Sequence, residues 1–108
     1  MRIARVLGTV TLDRMTPELK PGRYLICETL EARGLVSPGA YVAREKPMPE
    51  SLVVFDDLGA GAGELIAVSE GREASMPWYP ERVPIDAYCC AILDSIDVDG
   101  ELIDQPAA

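Results

Sequence analysis

Residues 56–69 read DDLGAGAGELIAVS, and this stretch decides between two kinds of fold. Glycine occupies the alternate positions 59, 61 and 63, after the apolar run SLVVF and before the apolar run LIAVS. A glycine-rich loop that leads from a strand into a helix is typical of nucleotide-binding proteins, because its backbone N–H groups and the helix N-terminus bind phosphate. The stretch is therefore either a phosphate-binding loop or a connection between two strands.

The phosphate-binding hypothesis fails on spacing and on charge. The dinucleotide fingerprint is G-x-G-x-x-G followed by a helix, whereas here Glu64 stands where the third glycine belongs and a strand-like run follows. The other common phosphate loop needs a Lys directly after its glycines, and none is present. Asp56, Asp57 and Glu64 would also repel a phosphate unless a metal ion intervened. The residues therefore predict a loop between two strands.

The small size of the loop residues indicates a further role. A two-residue turn is sufficient for a hairpin, whereas residues 59–63 form a run of five with no side chain larger than a methyl group. One interpretation is a wide hairpin in which glycine tolerates positive φ. The other is that the run lets the backbone of an identical subunit approach closely. We favour the second because the run is longer than a hairpin requires, although the first can hold in part.

The apolar patterns along the rest of the chain predict an all-β fold. Short strands, turn residues at similar intervals and an aliphatic composition with one Phe and one Trp favour a small, closed or nearly closed β-barrel with long irregular loops. Gly8 is expected to bend or bulge the first strand. A helical turn is expected near 72–75, and short additional strands within 40–44 and after the Asp99-Gly100 turn. The five main strands are predicted at 2–13, 23–31, 51–57, 64–69 and 85–98.

Length and charge limit the function. A chain of 108 residues forms one domain with one core. The net charge is −8 and Lys and Arg form no cluster, which argues against DNA, RNA and anionic membranes as partners. An OB-fold protein that binds single-stranded nucleic acid is an alternative, but it would need a basic groove with stacking aromatics. The N-terminus lacks the apolar core of a signal peptide, so a cytoplasmic location is expected.

The cysteines raise the hypothesis of an enzyme. Cys27, Cys89 and Cys90 are an odd number, and neighbouring strand residues point to opposite faces, so a disulfide framework or a shared metal site at the last two is disfavoured. The chain has no histidine, which excludes the usual zinc spacings and His-dependent triads. A small enzyme that uses these thiols, or the carboxylates around the glycines with a metal, is a further alternative. We expect ordinary thiols, no catalytic residue, no cofactor and no metal.

Three blocks of sequence resemble one known family. They are the opening MRIARVLGTV, the central FDDLGAGAGELIAVSEG and the last strand VPIDAYCCAILDSIDV. In this order they resemble the vertex proteins of bacterial microcompartments, the EutN/CcmL family. The central block is the specific one and the other two would be weak alone. The residues that match the motif of the central block are Asp56, Gly59, Ala60, Gly61, Gly63 and Glu64, and those that match the last block are Pro84, Asp86, Asp94 and Ser95.

The resemblance implies an OB-like, five-stranded β-barrel that assembles as a cyclic homopentamer at the corners of a polyhedral shell. Its partners would be hexagonal microcompartment shell proteins, and its location the shell. The resemblance places the central block at the subunit contact or around an axial opening. It further implies a vertex domain over residues 1–98, with residues 99–108 as a C-terminal hairpin or tail.

Two loops depart from the pattern of the family. Residues 33–50 look longer than the usual connection, and MPWYPERV carries the adjacent aromatics Trp78 and Tyr79. One interpretation is that both loops pack on their own barrel. The other is that Trp78 and Tyr79, which look exposed between prolines, contact a neighbouring subunit or a shell protein, because aromatic residues are enriched at such contacts.

Overall fold

The computed structural model describes residues 1–31 and 51–103. In chain order the strands are β1 (Arg2–Val10), β2 (Arg23–Thr29), β3 (Ser51–Asp56), β4 (Leu65–Glu70) and β5 (Ala87–Leu93). A 3-10 helix, Gly71–Trp78, connects β4 to β5, and it contains the predicted helical turn. The loop 33–50 and the predicted strand within it lie outside the described residues. No helix in the described part of the chain is long and apolar enough to cross a membrane.

The strands close into a barrel in the order β1-β2-β3-β5-β4. All neighbouring pairs are antiparallel except β3 and β5, which pair in parallel at Phe55 and Tyr88. Closure gives each of the five described strands two hydrogen-bonded neighbours, an arrangement that protects sheet edges. The prediction of an all-β, five-stranded barrel is confirmed.

Irregularities in two strands follow from the sequence. The register of β1 against β2 shifts between Val6 and Gly8, so that Leu7 is the extra residue, and this confirms the bulge expected at Gly8. The register of β5 against β4 shifts at Cys90. As predicted for adjacent residues, Cys89 is buried whereas Cys90 is exposed.

The barrel interior is aliphatic, as the composition predicts. Side chains from all five strands meet there, and most of them are fully removed from solvent. Burial of apolar area at about 25 cal/mol per Å² is the main source of stability in such a core. The buried residues of this cluster are Ala4, Val6, Leu25, Cys27, Val54, Ala60, Ile66, Val68, Ala87 and Cys89.

A second, aromatic cluster lies outside the barrel interior. Phe55 is at its centre, with ring centroids 5.3 Å from Tyr24, 5.2 Å from Trp78 and 6.1 Å from Tyr88. Edge-to-face and stacked aromatic pairs at these distances add to the free energy of burial. The cluster holds the segment between β4 and β5 against the barrel.

Some predicted boundaries are wrong. β1 ends at Val10 rather than at residue 13, and β5 covers only Ala87–Leu93 of the predicted 85–98. Gly100–Ile103 is a single α-helical turn rather than a hairpin strand. The reason is that Oδ1 of Asp99 accepts the backbone N–H of Glu101 over 2.9 Å, which caps a helix instead of closing a β-turn. The domain boundary at residue 98 stays a prediction.

Candidate functional site

Asp56 shapes the loop that follows β3. It is the last residue of that strand and its side chain is buried. Its carboxylate accepts three backbone N–H groups, from Leu58 over 3.1 Å, Gly59 over 3.1 Å and Ala60 over 2.9 Å. A side chain that accepts the N–H groups of the next residues stabilises a turn, and here one carboxylate satisfies three donors. We call residues 57–64 the glycine segment.

Arg23 closes this arrangement from the neighbouring strand. It pairs in register with Asp56, and its Nη1 donates to Oδ2 of Asp56 over 2.8 Å. Its Nη2 donates to the carbonyl oxygen of Ala60 over 2.8 Å. The buried carboxylate therefore has a positive partner, which it needs because an unpaired buried charge is strongly unfavourable. The sequence did not point to Arg23, because its partners are 33 and 37 residues away along the chain.

The other end of the glycine segment is bonded to β1. The N–H of Gly63 donates to the carbonyl oxygen of Val6 over 2.8 Å, and the N–H of Val6 donates to that of Glu64 over 2.9 Å. Oε1 of Glu64 accepts the N–H of Gly61 over 2.6 Å. The segment is thus an ordered loop with a defined conformation rather than an open hairpin.

At three positions of the segment, the conformation or packing of the chain itself explains why the residue is small. Gly59 and Gly63 have φ of +93° and +89°, a conformation that favours glycine. Ala60 is fully buried in the aliphatic core. The expectation that the whole run of small residues serves a neighbouring chain is therefore too broad, since only Gly61 and Ala62 lack such a reason.

The predicted site residues divide into two groups. Asp56 and Ala60 are buried in their own chain, so their side chains cannot line a contact. Gly59, Gly63 and Glu64 are exposed and Gly61 is half-exposed. Leu58, which the sequence reasoning missed, is 50% exposed at the same loop. Its signal was a leucine inside a polar and glycine-rich loop, where an apolar side chain has no strand to join.

The adjacent aromatic residues Trp78 and Tyr79 have different environments. Trp78 is half-buried, and its ring lies 5.5 Å from that of Tyr88 and against Phe55. The expectation that Trp78 is exposed is wrong, because the 3-10 helix turns it onto the barrel. Tyr79 is 73% exposed and remains available to another molecule.

The matching residues of the last block lie at both ends of β5. Pro84 and Asp86 precede the strand and Asp94 and Ser95 follow it, and all of these side chains are exposed. The backbone carbonyl of Asp86 accepts the N–H of Gly71 over 2.9 Å, which joins the two ends of the segment between β4 and β5. Pro84 and Asp86 line a shallow groove together with Phe55.

Two of the three thiols, Cys27 and Cys89, are in surroundings that make them unreactive. Burial, with a smaller contribution from the nearby negative charge of Asp56, raises the pKa of Cys27 to about 11 and that of Cys89 to about 12. Because the thiolate is the nucleophile, these thiols lack the reactive form at neutral pH. Across residues 1–31 and 51–103, no group of three or more Cys, Asp or Glu side chains is placed to hold a metal ion.

The chain is similar to proteins of known family. The family model described as "Ethanolamine utilisation protein EutN/carboxysome" matches residues 1–94. The carboxysome shell vertex protein CcmL of Thermosynechococcus vestitus is 32% identical over 103 residues, which are 95% of this chain and 93% of that protein.

Solved structures resemble the barrel over most of its length. The GrpN pentameric microcompartment shell protein from Rhodospirillum rubrum superposes with a TM-score of 0.69 at 26% identity, covering 92% of this chain and all of that one. The structure of Gloeobacter violaceus CcmL gives a TM-score of 0.72 at 29% identity, covering 92% of this chain and 91% of that one.

Proposed function

The chain belongs to the EutN/carboxysome family, and from this membership we propose that it is a structural shell protein, a cyclic homopentamer at the five-fold vertices of a bacterial microcompartment. The observation that carries the proposal is the match over residues 1–94, together with the likeness to a pentameric shell protein. The relatives are named as shell vertex proteins, and the proposal extends that role to this chain. Its location would be the shell, inside the bacterial cytoplasm.

The proposed role is geometric and not catalytic. A flat layer of six-fold units cannot close into a polyhedron, whereas five-fold units at its corners give the curvature that closure needs. A ring of five is built from head-to-tail contacts, in which two different surfaces of the same chain meet. Hexagonal shell proteins are the proposed partners around the ring.

The glycine segment is the proposed contact between subunits. Its exposed residues, with Gly61 and Gly63 at their centre, offer backbone that another chain can approach closely, and Leu58 adds exposed apolar area. Permanent interfaces commonly bury more than about 2,000 Å² in total, so the segment would be one part of a larger contact. The outer face of the barrel offers further apolar area at Ile26 and Val53, which are paired in register between β2 and β3.

Tyr79 is the proposed contact with a neighbouring shell protein. Its side chain is exposed beside Met76, which is 49% exposed, and both line a broad surface groove after the 3-10 helix. An exposed tyrosine on a fixed loop provides a large contact area at little cost in conformational entropy. Trp78 would support it from behind, by holding the loop on the barrel.

The test of the proposed function is the mass of the purified protein. Native mass spectrometry at micromolar concentration is expected to show one species at five times the 11.7 kDa chain mass. A single-chain species under these conditions would refute the ring. Co-expression with a hexagonal shell protein, followed by electron microscopy, then tests the vertex role, because closed polyhedra are expected only when this chain is present.

A further inference from the structure

We infer that Arg23 is the positioning residue of the subunit contact: it holds the glycine segment in the conformation that a neighbouring copy meets. The inference rests on the proposed ring and adds to it a residue that lies outside the matched motif. Arg23 is on β2, whereas the motif residues of the central block begin at Asp56, the last residue of β3, and continue into the loop after it. Arg23 acts through the segment and not through direct contact.

The guanidinium group of Arg23 has the shape needed to donate to two acceptors of the loop. One nitrogen reaches the buried carboxylate of Asp56 and the other reaches the carbonyl oxygen of Ala60, each over 2.8 Å. The planar fork of arginine serves two acceptors at once, whereas the ammonium of lysine is a compact point charge on a flexible stem. Arg23 therefore ties the start of the loop to its middle.

The remaining bonds show why Arg23 matters for the exposed part. Beyond Ala60, the next backbone bond from the segment to the barrel is that of Gly63 to Val6. Gly61 and Ala62 lie between these two anchors. Without Arg23 the hydrogen bonding of the first anchor depends on Asp56 alone, beside the packing of Ala60 in the core, and the exposed residues would sample more conformations. Association then becomes weaker, because a loop that is ordered on binding loses conformational entropy that a preorganised loop has already lost.

The chain offers a matched control. Arg2 makes a similar two-pronged pair with Glu70, over 2.5 and 3.0 Å, and its side chain is 40% exposed against 44% for Arg23. The Arg2 pair joins β1 to the end of β4 and does not touch the glycine segment. Loss of the Arg2 pair should cost the barrel little stability, because both of its partners are partly exposed. Loss of Arg23 should cost more, because it leaves the buried carboxylate of Asp56 without its positive partner. The two rings are therefore compared under conditions in which both variants are fully folded. Only loss of Arg23 should change the segment.

The experiment compares Arg23→Gln with Arg2→Gln in the full chain. Native mass spectrometry over a dilution series gives the concentration at which the ring dissociates, and circular dichroism confirms that the barrel is folded. We expect Arg23→Gln to dissociate at a concentration roughly tenfold or more above that of Arg2→Gln. Hydrogen exchange at the amides of Leu58, Gly59 and Ala60 should rise in Arg23→Gln only.

The other outcomes distinguish failure of the role of Arg23 from failure of the proposed ring. Equal dissociation of the two variants overturns the role of Arg23 and leaves the proposed ring intact. A wild-type protein that is already a single chain refutes the ring itself. If Arg23→Gln does not fold, Arg23→Lys replaces it, because a lysine keeps the positive charge near Asp56 but cannot also hold Ala60; dissociation like that of the wild type would then overturn the inference.

Discussion

Oδ2 of Asp56 accepts the backbone N–H of Ala60 over 2.9 Å, and both residues are buried in their own barrel. This relationship changes the interpretation of the glycine-rich stretch. The loop is first a capped turn of a single chain, and only its exposed part remains for contact with another subunit. The two roles can be separated by substitution.

Asp56 is expected to stabilise the folded chain. Asp56→Asn keeps the shape of the side chain but puts an N–H₂ group where donors now point, and it removes the negative partner of Arg23. Loss of satisfied buried hydrogen bonds of this kind costs about 2–4 kcal/mol. Urea denaturation at one protein concentration measures it, with the exposed Asp57→Asn as control. Equal midpoints for both variants would contradict the role of Asp56.

Gly59→Ala is expected to destabilise the chain although there is room for a methyl group. No atom lies within 4 Å of a Cβ built at Gly59, so the effect would come from its φ of +93° alone. A residue with a Cβ in the left-handed region is disfavoured by roughly 1–2 kcal/mol. Thermal unfolding at fixed concentration is the measurement, and Ala62→Gly at the exposed position nearby is the control. A variant as stable as the wild type would disprove the backbone argument.

Gly61→Leu is expected to weaken the ring and to leave the barrel folded. The φ of Gly61 is not in the left-handed region, and a Cβ there would lie 3.3 Å from Oε1 of Glu64, a side chain that can move. The bulk of leucine would instead keep a neighbouring backbone away. Native mass spectrometry reports the ring and circular dichroism the barrel. An unchanged pentamer in a folded variant would remove Gly61 from the contact.

Trp78→Ala is expected to reduce the stability of the chain, whereas Tyr79→Ala is expected to reduce binding to a shell protein. Trp78 packs on Phe55 and Tyr88, so its truncation should lower the free energy of unfolding by about 3 kcal/mol. Tyr79 is mostly exposed, so Tyr79→Ala should leave stability within about 0.5 kcal/mol of the wild type. If Tyr79 contacts a shell protein, co-purification with hexagonal partners should fall in Tyr79→Ala. Unchanged co-purification would contradict the proposed contact between Tyr79 and a shell protein.

Stability is expected to fall in alkaline solution because of the two buried thiols. The ordinary thiol pKa of 9.0 is raised in the fold to about 11 for Cys27 and about 12 for Cys89. A raised folded-state pKa gives stability that is complete below the unfolded pKa and is lost as the pH rises through the folded value. Unfolding free energy should therefore decline from about pH 9 to pH 12, and the decline should be smaller in Cys27→Ala.

The same thiols give a test at neutral pH. Cys90 is exposed and should react with a thiol reagent in the folded protein, whereas Cys27 and Cys89 should react only after unfolding. Mass spectrometry of the labelled protein counts the modified positions. Rapid labelling of Cys89 in the native protein would contradict its burial and would reopen the hypothesis of a thiol enzyme.

Much of the fold could be predicted from local patterns. Alternating apolar residues located β1 to β5, and Gly8 located the bulge, because the side-chain period of a strand is a local property. The ends were less predictable. Asp99 caps a helical turn where a hairpin was expected, since the dipeptide that begins a β-turn can also begin a helix.

By itself, then, the sequence determined an all-β barrel with an aliphatic core, and its ordered motifs determined the family. Only the tertiary structure decided which motif residues face inward. Asp56 and Ala60 turn into their own chain, Arg23 reaches them from another strand, and Trp78 packs on Phe55. The physical reason is that these contacts join residues far apart in the chain, so they depend on strand register and barrel closure, which no local pattern encodes.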